Sequence, residues 1–240
     1  GSAFRAVVIG VGHLGQHHAR ILSTLDNVDL IGVVDVDQDR VRRISSEYGT
    51  DVIEDIRSVL DRVDGVVVAV PTQDHLVVAA PLLEAGVSVL VEKPIASSSA
   101  EAEVLLRSAE SSGATLAVGH TERHNPAVVA ARALISSPGF IEVHRLSTFQ
   151  SRSLDIDVVF DVMIHDIDIV LSLVGMEPVS LEAVGIPVLS DRVDIANARL
   201  RFESGCIANL TASRISREQV RKLRVFQPHA LVTVDYAEQQ

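Results

Sequence analysis

The sequence predicts an α/β fold: an N-terminal doubly wound parallel sheet, then a C-terminal α+β domain containing an open, mostly antiparallel sheet. Three observations predict it. Up to about residue 120, short runs that are apolar throughout alternate with longer stretches of helical spacing, as in a parallel sheet covered on both faces. A glycine-rich turn, Gly10-Val11-Gly12-His13-Leu14-Gly15, joins the first such run to the first helical stretch. Beyond that region the apolar period shortens to two, the mark of half-buried strands.

Taken in order, Phe4 to Ile9 is a β-rich apolar run, and Leu14 to Leu25 has helical spacing. Asp29 to Val34 is a second strand, followed by a charged helical stretch through Arg43. Gly65 to Val70 is apolar on both faces, His75 to Ala85 is helical, Val87 to Val91 is a strand, Ser99 to Ser111 a helix and Thr115 to Val118 a strand. Right-handed crossovers between such strands give a doubly wound sheet. In the second half, Ile141 to Phe149 alternates and Asp161 to Val174 is helical. Ile195 to Phe202 and Cys206 to Ser213 flank Glu203-Ser204-Gly205, a hairpin signal. Leu223 to Phe226 and Leu231 to Val234 add further strands. The expected domains are residues 1–120 and 121–240.

Composition narrows the function. The 240 residues are 47% hydrophobic and 3% aromatic without Trp, so Val, Leu, Ile and Ala must build the core. A net charge of −11 repels a polyanion, and the densest basic stretch (Arg214, Arg217, Arg221, Lys222, Arg224) reads as a solvated face, so no nucleic-acid partner is expected. One cysteine, Cys206, precludes an intrachain disulfide, fits a cytoplasmic location, and reads as a small buried hydrophobe. No apolar run approaches the roughly 18 residues of a membrane helix. Gly1-Ser2 reads as a tag scar, and no signal peptide is expected after it.

The glycine turn passes three context tests: it follows an apolar strand, opens a helix, and Asp35 ends the next strand about 20 residues on. Gly10 permits the tight turn, Gly12 lets the backbone approach a pyrophosphate, and Gly15 allows close helix–strand packing. The helix N-terminus favours phosphate. Asp35 would accept from the ribose hydroxyls and repel a 2′-phosphate, which favours NAD over NADP. Arg40, Arg42 and Arg43 lie close enough in sequence to blunt that preference.

The fifth apolar run ends in Val91-Glu92-Lys93-Pro94. Ligands of open α/β sheets sit beyond the carboxyl ends of strands, so Lys93 is placed to polarise a hydroxyl or exchange a proton. The Lys93–Pro94 bond is a candidate cis peptide.

Together with Val70-Pro71-Thr72 and His75, Gly119-His120, Asn125-Pro126 and Asp161-x-x-x-His165-Asp166-x-Asp168, these segments resemble the glucose–fructose oxidoreductase / inositol dehydrogenase (Gfo/Idh/MocA) family over nearly the whole chain. The resemblance implies a Rossmann domain binding NAD, and an open-faced sheet domain that pairs chains as homodimers or homotetramers. It implies cofactor contacts from Gly10, Gly12, His13, Leu14, Gly15 and Asp35, and from Pro71, Thr72, His75, Glu92, Lys93 and Pro94. It implies substrate contacts from Lys93, His120, Arg123, Asn125, Asp161 and His165. Asp161 and His165 are four apart, hence on one face of a helix. By resemblance His165 is the general base, Asp161 the orienting group and Lys93 the assisting cation.

Other roles stay open. Asn125 can cap a helix begun by Pro126, and Arg123 can instead grip an anionic substrate group. His17, His18 and His75 lack a convincing ligand set, so no metal is expected. The expected activity is dehydrogenation of a secondary alcohol on a sugar, nucleotide-sugar or polyol. The phrase from Met163 to Leu171 resembles members suspected of acting on UDP-linked amino sugars; inositol and trans-dihydrodiol dehydrogenation remain open. The alternative is a non-catalytic dinucleotide sensor on the same fold. Relatives usually continue past the equivalent of Gln240, so either a C-terminal part is missing or this is a shortened member. The stretch from Phe149 to Asp157 looks compressed, as if a mobile substrate loop were lost.

Overall fold

The structure, a computed structural model, describes residues 2–149 and 156–240. The expected compressed loop between Phe149 and Asp157 therefore lies, except at its ends, outside the described residues. The chain divides into two compact units, Gly1–Gly119 and His120–Gln240.

The first unit holds six parallel strands: β1 (Phe4–Ile9), β2 (Val28–Val34), β3 (Asp51–Val52), β4 (Gly65–Val68), β5 (Ser88–Val91) and β6 (Leu116–Val118). Their order is β3-β2-β1-β4-β5-β6. The winding reverses between β1 and β4, the switch point where such sheets bind ligands. Helices α1 (Gly15–Leu22), α2 (Gln38–Tyr48), α3 (His75–Glu84) and α4 (Ser99–Ser112) cover the two faces. The apolar strands serve both: Val8 and Val67 join a core with Ala19, Val41 and Ile44, whereas Val7, Ile9, Val66 and Val68 join one with Leu82, Leu83 and Leu105.

Local chemistry sets the helix limits. Asp37 caps α2 by accepting from Asp39 and Arg40 N–H groups, and Ser98 caps α4 by accepting from Glu101. Some elements escape the sequence pattern. The two-residue β3 is too short to show a period, and a 3₁₀ segment spans Ile56–Arg62 with only Val59 buried. The strand expected through Val70 stops at Val68, because Ala69 and Val70 pass beside Gly10 into the next turn.

The second unit holds α5 (Pro126–Leu134), α6 (Ile164–Val174), β7 (Phe140–Leu146), β8 (Pro178–Ile186), β9 (Ile195–Phe202), β10 (Ile207–Ser213), β11 (Val220–Gln227) and β12 (Ala230–Asp235). The sheet order is β12-β11-β7-β10-β9-β8. All pairings are antiparallel except β7 with β10. The hairpin turn expected at Glu203-Ser204-Gly205 is present, with Gly205 at φ 85°. On β9, Ala196, Ala198, Leu200 and Phe202 point into the core while Asn197, Arg199 and Arg201 do not. Ile169 and Val170 of α6 and Ala127, Val128 and Ala131 of α5 pack on that inner face. Cys206 is buried there, and burial pushes its thiol pKa up. Among the described residues no helix is long and apolar enough to cross a membrane.

The basic stretch meets carboxylates, with Lys222 and Arg224 on the exposed face of β11. Arg214 is buried against Asp194, Lys222 meets Asp235, and Arg224 meets Glu142. Asp194 also accepts N–H groups of Val188, Leu189 and Ser190 and the Ser190 hydroxyl. Burial alone would raise its pKa, but these donors and Arg214 hold it below the ordinary carboxylate range.

Candidate active site

In the first unit, the turn after β1 uses its three glycines differently. Gly10 adopts φ 84°, and a Cβ there would lie 2.7 Å from the Ala69 carbonyl oxygen. A Cβ on Gly15 would overlap the Gly10 carbonyl oxygen. Gly12 is otherwise: its Cβ would meet only Arg40 Nη1, at 3.9 Å. The fold thus needs Gly10 and Gly15, while the bare backbone at Gly12 faces open space at the start of α1, as a cradle for pyrophosphate requires. His13 stacks edge-on to His17 at 5.8 Å between centroids, and Leu14 stands exposed beside it.

Asp35 lies at the end of β2. Its carboxylate accepts the Val11 N–H at 2.8 Å and the Asp37 N–H at 2.9 Å, which ties the glycine turn to the second strand. Arg40 Nη1 lies 3.3 Å from both oxygens and covers a side chain that is only 5% exposed. Arg42 turns to Asp39 and Arg43 to Glu47. Of the three arginines flagged in the sequence, Arg40 is therefore the one facing Asp35.

Pro71 and Thr72 open a short 3₁₀ turn after β4. His75, expected to touch the cofactor, is buried at this turn. Its ring is 1% exposed, with Nδ1 3.0 Å from the Pro94 carbonyl and Nε2 3.0 Å from the Val70 carbonyl. It staples the Pro71 turn to the Pro94 segment. The Lys93–Pro94 peptide is cis, as the sequence indicated.

Glu92 is 7% exposed and shows a partner the sequence reading missed: His18 of α1, whose Nε2 lies 2.7 Å from Oε1. Its other oxygen accepts the Lys93 N–H at 3.2 Å. Burial would raise the Glu92 pKa, but the His18 hydrogen bond and charge, with the Lys93 N–H and charge, bring it below the usual value. The available signal is His18 lying one turn into the helix after Gly15. Among the described residues no group of three or more His, Cys, Asp or Glu side chains is placed to hold a metal.

In the second unit, the expected regular helix from Asp161 begins instead with a π turn, Val159–Met163, closed by the Ile164 N–H on the Val159 carbonyl. Its start is pinned by buried Val158, whose N–H meets the Val193 carbonyl, and by Asp157, which accepts the Val193 N–H. The register of α6 is fixed separately by Ile169 and Val170 in the core. The widened turn reconciles the two, and such turns recur at functional sites. A spacing of four still leaves Asp161 and His165 on one side of the helix.

The acidic residues around His165 are engaged in ion pairs that the sequence did not disclose. Asp166 receives a bidentate contact from Arg145, at 2.9 and 2.8 Å, and Arg145 also meets Glu122 at 3.0 Å. The Arg145 guanidinium lies 4.7 Å from the Tyr236 ring centroid. Burial would lower the Arg145 pKa, but Asp166 and Glu122 more than offset this and keep it charged. Asp168 takes both Nε and Nη2 of Arg123, at 2.6 and 2.5 Å, and lies 4.0 Å from His120 Nε2. Arg123 thus answers to a carboxylate of its own chain, which argues against the anion grip. Asn125 caps α5 through the Ala127 N–H and donates to the Tyr236 carbonyl, the structural of its two expected roles.

Comparison with known proteins settles the ancestry. The profile of the oxidoreductase family with an NAD-binding Rossmann fold (Gfo/Idh/MocA) matches residues 4–120, and that of the family's C-terminal domain matches 127–229. The chain belongs to the Gfo/Idh/MocA family. It is 39% identical to UDP-N-acetylglucosamine 3-dehydrogenase of Acidithiobacillus ferrooxidans, over 97% of this chain and 74% of that protein. A solved structure of that family member superposes with a TM-score of 0.94, covering 99% of this chain and 78% of that one at 38% identity. Inositol 2-dehydrogenase of Rhizobium meliloti is 27% identical over 86% of this chain and 68% of that protein. GenD2 from gentamicin A biosynthesis, solved in complex with NAD, has a TM-score of 0.90 at 25% identity, covering 98% of this chain and 73% of that one. As a family member the chain is an oxidoreductase with an NAD-binding Rossmann fold, related to dehydrogenases of sugars and polyols.

Proposed function

We propose that the chain is an NAD-dependent dehydrogenase of a nucleotide-linked amino sugar, oxidising a secondary alcohol of the sugar ring. The observation that carries the substrate reading is the 39% identity, over nearly the whole chain, to a relative named for UDP-N-acetylglucosamine. In this reading Gly10, Gly12, His13, Leu14 and Gly15 hold the pyrophosphate and Asp35 the adenosine ribose. Pro71, Thr72, Glu92, Lys93 and Pro94 line the nicotinamide end. NAD bound there supplies the two-electron acceptor.

His165 takes the proton of the alcohol as general base. Asp161, on the same side of the helix, fixes the ring and the substrate hydroxyls. The Lys93 ammonium stabilises the negative charge that develops on the alcohol oxygen. In the reductive direction His165 returns the proton as acid. His120, Arg123 and Asn125 complete the substrate side, with Arg123 and Asn125 acting through the supports described above.

NAD is favoured over NADP because a 2′-phosphate would face Asp35. Arg40 must yield for the ribose to reach that carboxylate. The second unit carries the oligomer contact through its sheet, as a homodimer or homotetramer; Val179, Leu181, Val184 and Ile186 of β8 all stand more than half exposed. The reading places the protein in the cytoplasm.

The test is reduction of NAD with UDP-N-acetylglucosamine, free N-acetylglucosamine and myo-inositol offered separately. Turnover with the first at a kcat/KM well above the other two supports the reading. NAD binding without reduction on any of them contradicts it.

A further inference from the structure

Glu92 is a buried carboxylate directly preceding Lys93 in the chain, and three elements converge on it. From α1 comes His18, 2.7 Å away and itself largely covered. From the end of β4, the Val68 carbonyl fixes the Glu92 N–H at 2.9 Å. From the end of β6 comes Gly119, where a Cβ would lie 3.0 Å from Oε2, so a side chain there would push the carboxylate by a few tenths of an ångström. The titratable groups facing Glu92 are His18 and Lys93; from β4 and β6 it meets backbone.

We propose that His18 is a positioning residue for Lys93: from the cofactor helix it holds the buried Glu92 carboxylate ionised and oriented, and Glu92 in turn holds the Lys93 main chain. This rests on the catalytic reading of Lys93. A buried carboxylate without its partner becomes easier to protonate. Once protonated or rotated, it no longer offers the same acceptor to the Lys93 N–H or the same field to the ammonium. The turn that binds phosphate and the residue that faces the reacting alcohol are thereby mechanically joined, because His18 lies one turn beyond Gly15.

The experiment compares wild type, His18→Ala, His18→Gln and Glu92→Gln. With UDP-N-acetylglucosamine and NAD, His18→Ala should lower kcat about tenfold, the effect of losing one hydrogen bond to a charged group. The KM for NAD should change far less, and the acid limb of the pH profile should move to higher pH. His18→Gln, which keeps a donor, should recover most of kcat. Thermal unfolding gives a readout that needs no turnover. Between about pH 4.5 and 6, where the ordinary glutamate has already ionised, the midpoint of His18→Ala should fall behind wild type as pH rises. Its Glu92, left with the Lys93 N–H and charge alone, must then ionise while buried. Glu92→Gln should remove that trend.

Unchanged kcat and pH profile in His18→Ala, with melting curves that run parallel to wild type across this window, would overturn the proposal. If the wild type reduces NAD with no substrate, the dehydrogenase reading fails by itself, and the melting curves still decide whether His18 keeps Glu92 ionised.

Discussion

The two glycines at either end of Gly12-His13-Leu14-Gly15 should fail in opposite ways when replaced by alanine. At Gly12 the added methyl meets only the far end of Arg40, at 3.9 Å, and φ lies outside the left-handed region. Gly12→Ala should therefore leave stability unchanged or raise it by about 0.4–1 kcal/mol through the unfolded state. The same methyl projects where a pyrophosphate must approach. Loss of one charge-assisted hydrogen bond, about 1.5–3 kcal/mol, weakens NAD roughly ten- to hundredfold. At Gly15 the methyl overlaps the Gly10 carbonyl oxygen and lies 2.8 Å from its carbon, with Ala69 Cβ at 3.4 Å behind. Backbone must move, at about 1–3 kcal/mol for an overpacked site. The melting midpoint then drops by about 2–4 °C per kcal/mol. Thermal unfolding without ligand, paired with a fluorescence titration of NADH, separates the two outcomes. Equal destabilisation by both substitutions, or wild-type NADH affinity in Gly12→Ala, would refute the division of labour.

Asp35→Ser should weaken NAD and narrow its advantage over NADP, because the group that repels a 2′-phosphate is gone; equal KM ratios in variant and wild type would count against it. Adding Arg40→Ala to Asp35→Ser should reverse the gain for NADP, since Arg40 is the arginine aimed at that site. In the second unit, Asp194→Ala strands buried Arg214 and three loop N–H groups, and should lower stability by about 3–5 kcal/mol, measured by chemical denaturation. The Asp194 pKa is depressed on folding, so its contribution is complete above the unfolded carboxylate value near pH 4. It is lost as pH falls through the lower folded value. An Asp194→Asn variant should accordingly show a flatter acid limb of stability against pH.

Much of this was legible in the sequence because the relevant signals are local. A β-rich apolar run, a glycine turn and a helical pattern are read within a few tens of residues, and Asp35 follows at a fixed distance. The structure adds what local pattern cannot carry. His18 and Glu92 lie 74 residues apart, and Arg123 and Asp168 lie 45 apart. No periodicity links such pairs; only the packed fold brings them together. The same limit explains His75, whose place in a motif suggested contact with a ligand, while its burial makes it a staple. The π turn at Val159–Met163 was hidden for a different reason. One extra residue per turn leaves the apolar spacing of α6 intact, and the cause lies in a distant anchor at Val193. The Asn125 cap was readable, because capping is chemistry between neighbours.

The central claim is that Lys93 and His165 carry out one chemical step. Single-turnover formation of NADH from UDP-N-acetylglucosamine tests it most directly, in wild type, Lys93→Ala and His165→Ala, with NADH affinity measured alongside. The account predicts that each substitution slows the step by at least about a hundredfold, the usual worth of a positioned acid–base group, while NADH affinity stays within a few-fold. A wild-type rate in either variant, or loss of activity that merely follows loss of NADH binding, would contradict it.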